Sequence, residues 1–187
     1  MNMENAALII VDVQQAFEDE KWGERNNLNA EENIKKLLNT WRMECLPVIH
    51  IQHSSENLSS LFHPSKKSFE IKEIVKPYEN ELIITKKVNS GFIGTNLEVY
   101  LKNNNISTVV IVGLTTPHCV STTTRMSGNL GFDTYLVSDA TAAFAMKDHH
   151  GNQYDPKTIH NITIATLHDE FATILTTEQL MKIIEKA

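Results

Sequence analysis

Apolar positions in this chain fall into short unbroken runs, separated by stretches in which they return every three or four residues. Ala6 to Val13 is nearly all apolar, the pattern of a strand buried on both faces. From Ala30 to Glu44, Ile34, Leu37, Leu38 and Trp41 recur at helical spacing. Pro47 to Gln52, Glu81 to Thr85, Ser107 to Gly113, Thr134 to Val137 and Phe171 to Leu175 read as strands two to six. Further helices are predicted from Thr95, as a cap with Glu98 at the third position, to Asn103; from Cys119 to Leu130, stopped by Gly131; from Pro156 to His168; and from Thr177 to Lys186. Asp139 to Ala145 reads as a short helix or loop. The polar stretches 53–79 and 147–156 are longer than connectors need, and the first is expected to wall a site. Strands alternating with helices predict a parallel sheet covered on both faces, a three-layer α/β/α fold.

Composition narrows the classes of function. The 187 residues are 41% hydrophobic and 21% charged, and no Pro/Gly/Ser-rich linker or internal repeat divides them, so a single domain over 1–187 is expected. A net charge of -6 and a pI near 5.7 argue against nucleic-acid binding, which needs a basic face. Met1 to Asn5 is polar and the apolar run after it is too short for a signal peptide or membrane span, which predicts a cytoplasmic protein without a membrane partner. Cys45 and Cys119 are the two cysteines, without metal-type spacing, and no disulfide is expected between them. Cys45 reads as a small buried residue ahead of strand two.

The chemistry gathers at the ends of the predicted strands. In Gly113-Leu-Thr-Thr-Pro-His-Cys119-Val, an apolar run ends and a cysteine stands where a helix should begin. The free N–H groups there should lower the thiol pKa and make a thiolate accessible near neutral pH, so Cys119 is a candidate nucleophile. Asp12 ends strand one and Lys86 stands just beyond strand three, which brings all three to the carboxyl edge where open α/β sheets bind ligands. Singly, Asp12 could cap a loop, Lys86 could be solvated beside Lys87, and Cys119 could be an inert buried thiol. Jointly they favour a site, because an acid directly after an apolar strand needs a partner and Lys86 is available.

The chain resembles the isochorismatase-like cysteine hydrolases from Ala6 to Thr177. The motifs are ALIIVDVQQAF, KKVNSGFIGTNLEVYL, GLTTPHCVSTTTR, and GFDTYLVSDATAAF followed by HNITIATLHDEFATIL. The resemblance implies a six-stranded sheet of order 3-2-1-4-5-6 and a catalytic triad of Asp12, Lys86 and Cys119. Lys86 is chosen over Lys87 because it stands four residues before Ser90 of the Ser90-Gly91-Phe92 segment. In this reading Lys86 holds Asp12 ionised and stabilises the thiolate, while Asp12 takes the thiol proton and returns it to the leaving group. The resemblance also implies a cis peptide between Leu114 and Thr115, which would turn the Thr115 N–H toward that of Cys119 as an oxyanion hole. Hydrolysis of a small amide through a thioester is the expected activity.

Phe17, Trp22, Phe92 and His118 are candidate substrate walls, with core packing an equal alternative for Phe17 and Phe92. Arg125, six residues after Cys119, is expected to make a structural ion pair. The nicotinamidase branch of the family binds a metal through an Asp-x-His element after strand two, where this chain reads His53-Ser54-Ser55. Neither His50 with His53 nor His149 with His150 completes a ligand set, and neither metal nor cofactor is expected. Two other readings stay open: isochorismatase-type vinyl-ether hydrolysis, which needs a carboxyl proton donor and no thiol, and a catalytically silent binding or redox protein with an oxidisable Cys119. Family members commonly assemble through helices beside the site, so a homo-oligomer, dimer or tetramer, is expected.

Overall fold

The computed structural model describes residues 3–185. Six parallel strands form its sheet: β1 (Ala7–Val11), β2 (Val48–His53), β3 (Leu82–Lys86), β4 (Thr108–Leu114), β5 (Asp133–Ala142) and, after a two-stranded hairpin of β6 (Met146–Lys147) and β7 (Gln153–Tyr154), β8 (Thr173–Leu175). Their order is β3-β2-β1-β4-β5-β8, as the resemblance implied, with β8 in the place of the sixth strand. The helices are α1 (Ala30–Met43), α2 (Leu97–Asn103), α3 (Ser121–Asn129), α4 (Pro156–Leu167) and α5 (Thr177–Ile184). Among the described residues no helix is long and apolar enough to cross a membrane.

The unbroken apolar run of β1 supplies both faces of the sheet. Ala7, Ile9 and Val11 join a core with Leu97 and Leu101 of α2, Val120, and Leu167 of α4. Leu8 and Ile10 point into the opposite core with Ile34, Leu37, Leu38 and Trp41 of α1 and Leu180 of α5. Two apolar layers on one sheet require helices on both sides, which gives three layers.

Some boundaries differ from the sequence reading. Asp139–Ala142 is strand, because β5 continues past an irregularity in its pairing with β4 and resumes with Thr141 opposite Gly113. Polar side chains satisfy the backbone there: Asn27 Nδ2 donates to the carbonyls of Ser138 and Thr141, and Asp139 Oδ1 accepts from Thr177 N at 2.8 Å. Helix α2 starts at Leu97 after Asn96, while Thr95 Oγ1 bonds the Gly91 carbonyl at 2.6 Å. The stretch 147–156 includes a strand of the β6–β7 hairpin, and β8 begins at Thr173. The predicted end of the last helix at Lys186 lies outside the described residues. Cys45 is exposed, in the left-handed turn after α1 (φ 54°), where the chain reverses before it enters β2.

Candidate active site

Three neighbouring strands end at the same edge, and each delivers a functional group. After β1 the chain turns at Asp12, whose φ of 52° lies in the left-handed region, and the Asp12 N–H still bonds the Ile51 carbonyl at 2.9 Å. Lys86 is the last residue of β3, one position earlier relative to the strand end than its sequence suggests, and lies opposite His53 in the parallel register. The Lys86 side chain is fully buried, with Nζ 2.7 Å from Asp12 Oδ2 and 3.0 Å from His53 Nδ1. After β4 comes a cis peptide bond between Leu114 and Thr115, then a π-helical turn, Thr116–Val120, that carries Cys119 into α3. Cys119 Sγ, an Asp12 oxygen and a His53 ring nitrogen all lie within 4.8 Å of one another.

Burial governs the protonation of this cluster. It pushes the Cys119 thiol up, to about 12, and the adjacent Asp12 carboxylate adds to the rise. Asp12 is raised as well, because the cost of burying its charge outweighs the Lys86 ammonium beside it. The expectation of a thiolate favoured by a helix start is thus corrected: the sulfur sits inside a buried turn next to a carboxylate, and its proton stays on at rest. Asp12 Oδ2 is held by Lys86, whereas among the described residues Oδ1 has no nitrogen or oxygen partner, and the Cys119 thiol stands beside the carboxylate that would receive its proton. His53 is lowered to about 4, by burial and then by the Lys86 charge, so its ring is neutral.

The cluster opens into a cavity of 260 Å³. Asp12, Cys119, Thr115, His118 and Asn89 make its polar side, and Phe17, Trp22 and Phe62 its aromatic side. Phe17 is the hub of the aromatic side, with ring centroids 5.3 Å from both Trp22 and Phe62. Trp22 is fixed by its indole N–H, which donates to the Ala16 carbonyl at 2.7 Å. A larger hollow beside Arg25, Glu31 and Lys72 is lined by ion-paired side chains, with no cysteine, serine or threonine among its described lining residues.

Phe17, Trp22 and His118 therefore line the cavity, and Phe92 does not. It stacks on Phe132 at 5.9 Å within the core, because Gly91 packs against Thr123 and turns the segment inward. Arg125 meets neutral partners in place of the expected ion pair: Thr166 Oγ1 at 2.8 Å and the face of Phe171 at 4.7 Å. The sequence reading did not place His53, Phe62 or Asn89 at the site. His53 ends its strand at the same edge as Lys86, so the strand-end rule could have found it. Phe62 lies in the polar stretch 53–79 that was expected to wall a site, but it shares that stretch with Phe69 and Tyr78, and no local pattern singles it out. Asp12, His53 and Cys119 are close enough to share a metal ion, but the Lys86 ammonium already bonds two of the three, and a second cation there would be repelled.

Residues 6–179 match the model of the Isochorismatase domain. The chain belongs to the isochorismatase family. It is 70% identical to the uncharacterized isochorismatase family protein YrdC of Bacillus subtilis (strain 168), over 178 residues and 95% of each chain. A solved isochorismatase-family structure from Chromobacterium violaceum matches it with a TM-score of 0.97 at 34% identity, covering 100% of this chain and 97% of that one. The N-carbamoylsarcosine amidase of Arthrobacter sp is 36% identical over 63 residues, which span 34% of this chain and 24% of that enzyme. The chain is a hydrolase of the isochorismatase family.

Proposed function

We propose that this isochorismatase-family hydrolase is a cysteine amidase that cleaves the C–N bond of a small non-peptide amide. The observation that carries the reading is the buried Asp12–Lys86 pair, 2.7 Å apart, beside Cys119 on the polar side of an aromatic-walled cavity. The partial likeness to an N-carbamoylsarcosine amidase supports C–N chemistry.

Cys119 attacks the amide carbonyl as its thiol proton passes to Asp12, forming the C–S bond. A carboxyl whose pKa is raised by burial is a stronger base for this step than an ordinary one. The Thr115 and Cys119 N–H groups receive the developing oxyanion. Collapse of the intermediate breaks the C–N bond, and Asp12 returns the proton to the departing nitrogen, which leaves as ammonia or an amine. Water then attacks the thioester, giving its proton to Asp12; the C–S bond breaks and the sulfur is reprotonated. The Lys86 ammonium, 2.7 Å from Asp12, offsets the negative charge that moves between carboxylate and sulfur.

Ammonia release across a panel of small amides and ureides tests the activity, and intact-mass analysis of a slow substrate tests the thioester. Cys119→Ala should lower kcat by about 10⁴-fold or more, the scale seen when a nucleophile is removed. Activity that survives Cys119→Gly would instead point to acid-catalysed ether hydrolysis by Asp12, and a reactive thiol with no amine release would point to a sensor.

A further inference from the structure

His53 takes no part in the steps above, yet it is held from three sides. Its backbone N–H donates to Gln14 Oε1 at 2.8 Å and its carbonyl accepts from Gln14 Nε2 at 3.0 Å, and Gln14 itself is completely buried. Its ring meets Phe62 edge-on at 5.2 Å, and its Nδ1 faces Lys86 Nζ at 3.0 Å. An ammonium has donors and no lone pair, so Nδ1 must be the acceptor, and the proton of the neutral ring sits on Nε2. Nε2 lies on the side of the ring away from Lys86. Among the described residues it has no protein partner, yet it is not among the buried side-chain atoms left without one, which are Asp12 Oδ1 and His50 Nδ1, so it is open to the cavity. The ring lines the cavity that contains Cys119.

We propose that His53 is a positioning residue: fixed by Lys86 as the Nε2–H tautomer, it donates a hydrogen bond to a neutral acceptor one or two bonds from the scissile carbonyl. This inference rests on the cysteine-amidase reading. Charge narrows the class further. Lys86 is paired with Asp12 and His53 is neutral, so among the described lining residues no unpaired cation awaits a substrate carboxylate, and Phe17, Trp22 and Phe62 offer apolar surface. The substrate is a small uncharged amide with an ether, hydroxyl or carbonyl oxygen beside the amide carbonyl.

Nitrogen NMR of the histidine-labelled protein at neutral pH reads the tautomer without any turnover. A His53 ring protonated at Nε2 alone is expected, and protonation at Nδ1 or at both nitrogens overturns the proposal. Kinetics on methoxyacetamide and butyramide, which differ by an ether oxygen for a methylene, read the contact. The wild type should favour methoxyacetamide about tenfold, mainly through KM, as one hydrogen bond allows. His53→Asn, whose amide oxygen can still serve Lys86, should abolish that preference by lowering kcat/KM for methoxyacetamide about tenfold more than for butyramide, and His53→Gln should restore part of it. If His53→Asn keeps the preference, or loses both substrates equally, His53 merely supports Lys86 and the inference falls. A preference for succinamic acid overturns the assignment to uncharged amides. Absence of amine release from the whole amide panel is a different failure, which removes the amidase reading and this inference with it.

Discussion

At Cys119 the helix that follows favours a thiolate, while burial and the Asp12 carboxylate oppose one, and the opposing pair is stronger because the group is 9% exposed. The free protein should then react with iodoacetamide first at exposed Cys45, and peptide mapping after brief labelling at pH 7.5 checks this. Faster labelling of Cys119 would mean that the thiolate is present at rest. Lys86 is the counterweight to both negative groups. Lys86→Met should leave Asp12 fully protonated and useless as a base, and kcat/KM should fall about 10²–10⁴-fold, the usual scale of general-base catalysis. Circular dichroism of the same variant separates this loss from unfolding, since a neutral Asp12 beside a methionine of similar volume does not strand a buried charge.

The elements that carry these residues depend on close approach between β1 and β4. Gly113 has a φ of 126°, and a Cβ there would stand 2.0 Å from the Val11 carbonyl oxygen, one residue before Asp12. Gly113→Ala must therefore push the central strands apart as well as adopt a backbone conformation hostile to side chains. The expected loss is about 3 kcal/mol or more, a melting-point drop of roughly 6–12 °C that calorimetry can read. At this scale the sequence was most legible where a buried strand is one apolar run, as in Ala7–Val11 and Val109–Val112. It was least legible at Ser138-Asp139, because the sheet continues there with hydrogen bonds from the Asn27 side chain to the Ser138 carbonyl and from Thr177 to the Asp139 carboxylate, both distant in the chain. The choice between wall and core at Phe92, and the ion pair expected of Arg125, could not be settled from sequence for the same reason: their surroundings are Phe132 and Phe171, from other elements. Asp12, Lys86 and Cys119 could be brought together because strand ends share one edge, a rule that needs no knowledge of contacts.

Across the whole molecule, one polar cluster ties the loops around the first strand to α1. Glu31, in the first turn of α1, receives a two-pronged bond from Arg25 at 2.7 and 2.8 Å and a further one from Lys72 Nζ at 2.9 Å, with its side chain 11% exposed. Burial alone would raise the Glu31 pKa, but the hydrogen bonds and charges of Arg25 and Lys72 together outweigh it and hold the carboxyl at about 2. A folded pKa below the unfolded one means that the unfolded chain binds the proton first as acid is added. The contribution of Glu31 is thus complete above about pH 4.5 and is lost as pH falls from there toward about 2. Its full size is of order 3 kcal/mol by the usual conversion of about 1.4 kcal/mol per unit. His53 acts in the same direction over an earlier window: its folded pKa is depressed to about 4 from 6.5, so the unfolded state gains its proton first as pH drops between those values. Urea unfolding at a series of pH values should show wild-type stability falling first through the histidine window and then through the carboxylate one. Glu31→Gln should be about 2–3 kcal/mol less stable than wild type at pH 7, with the gap closing below pH 4.5. A gap that stays constant down to the acid limit would mean that Glu31 acts through packing and neutral hydrogen bonds, and that the cations around it do not set its charge.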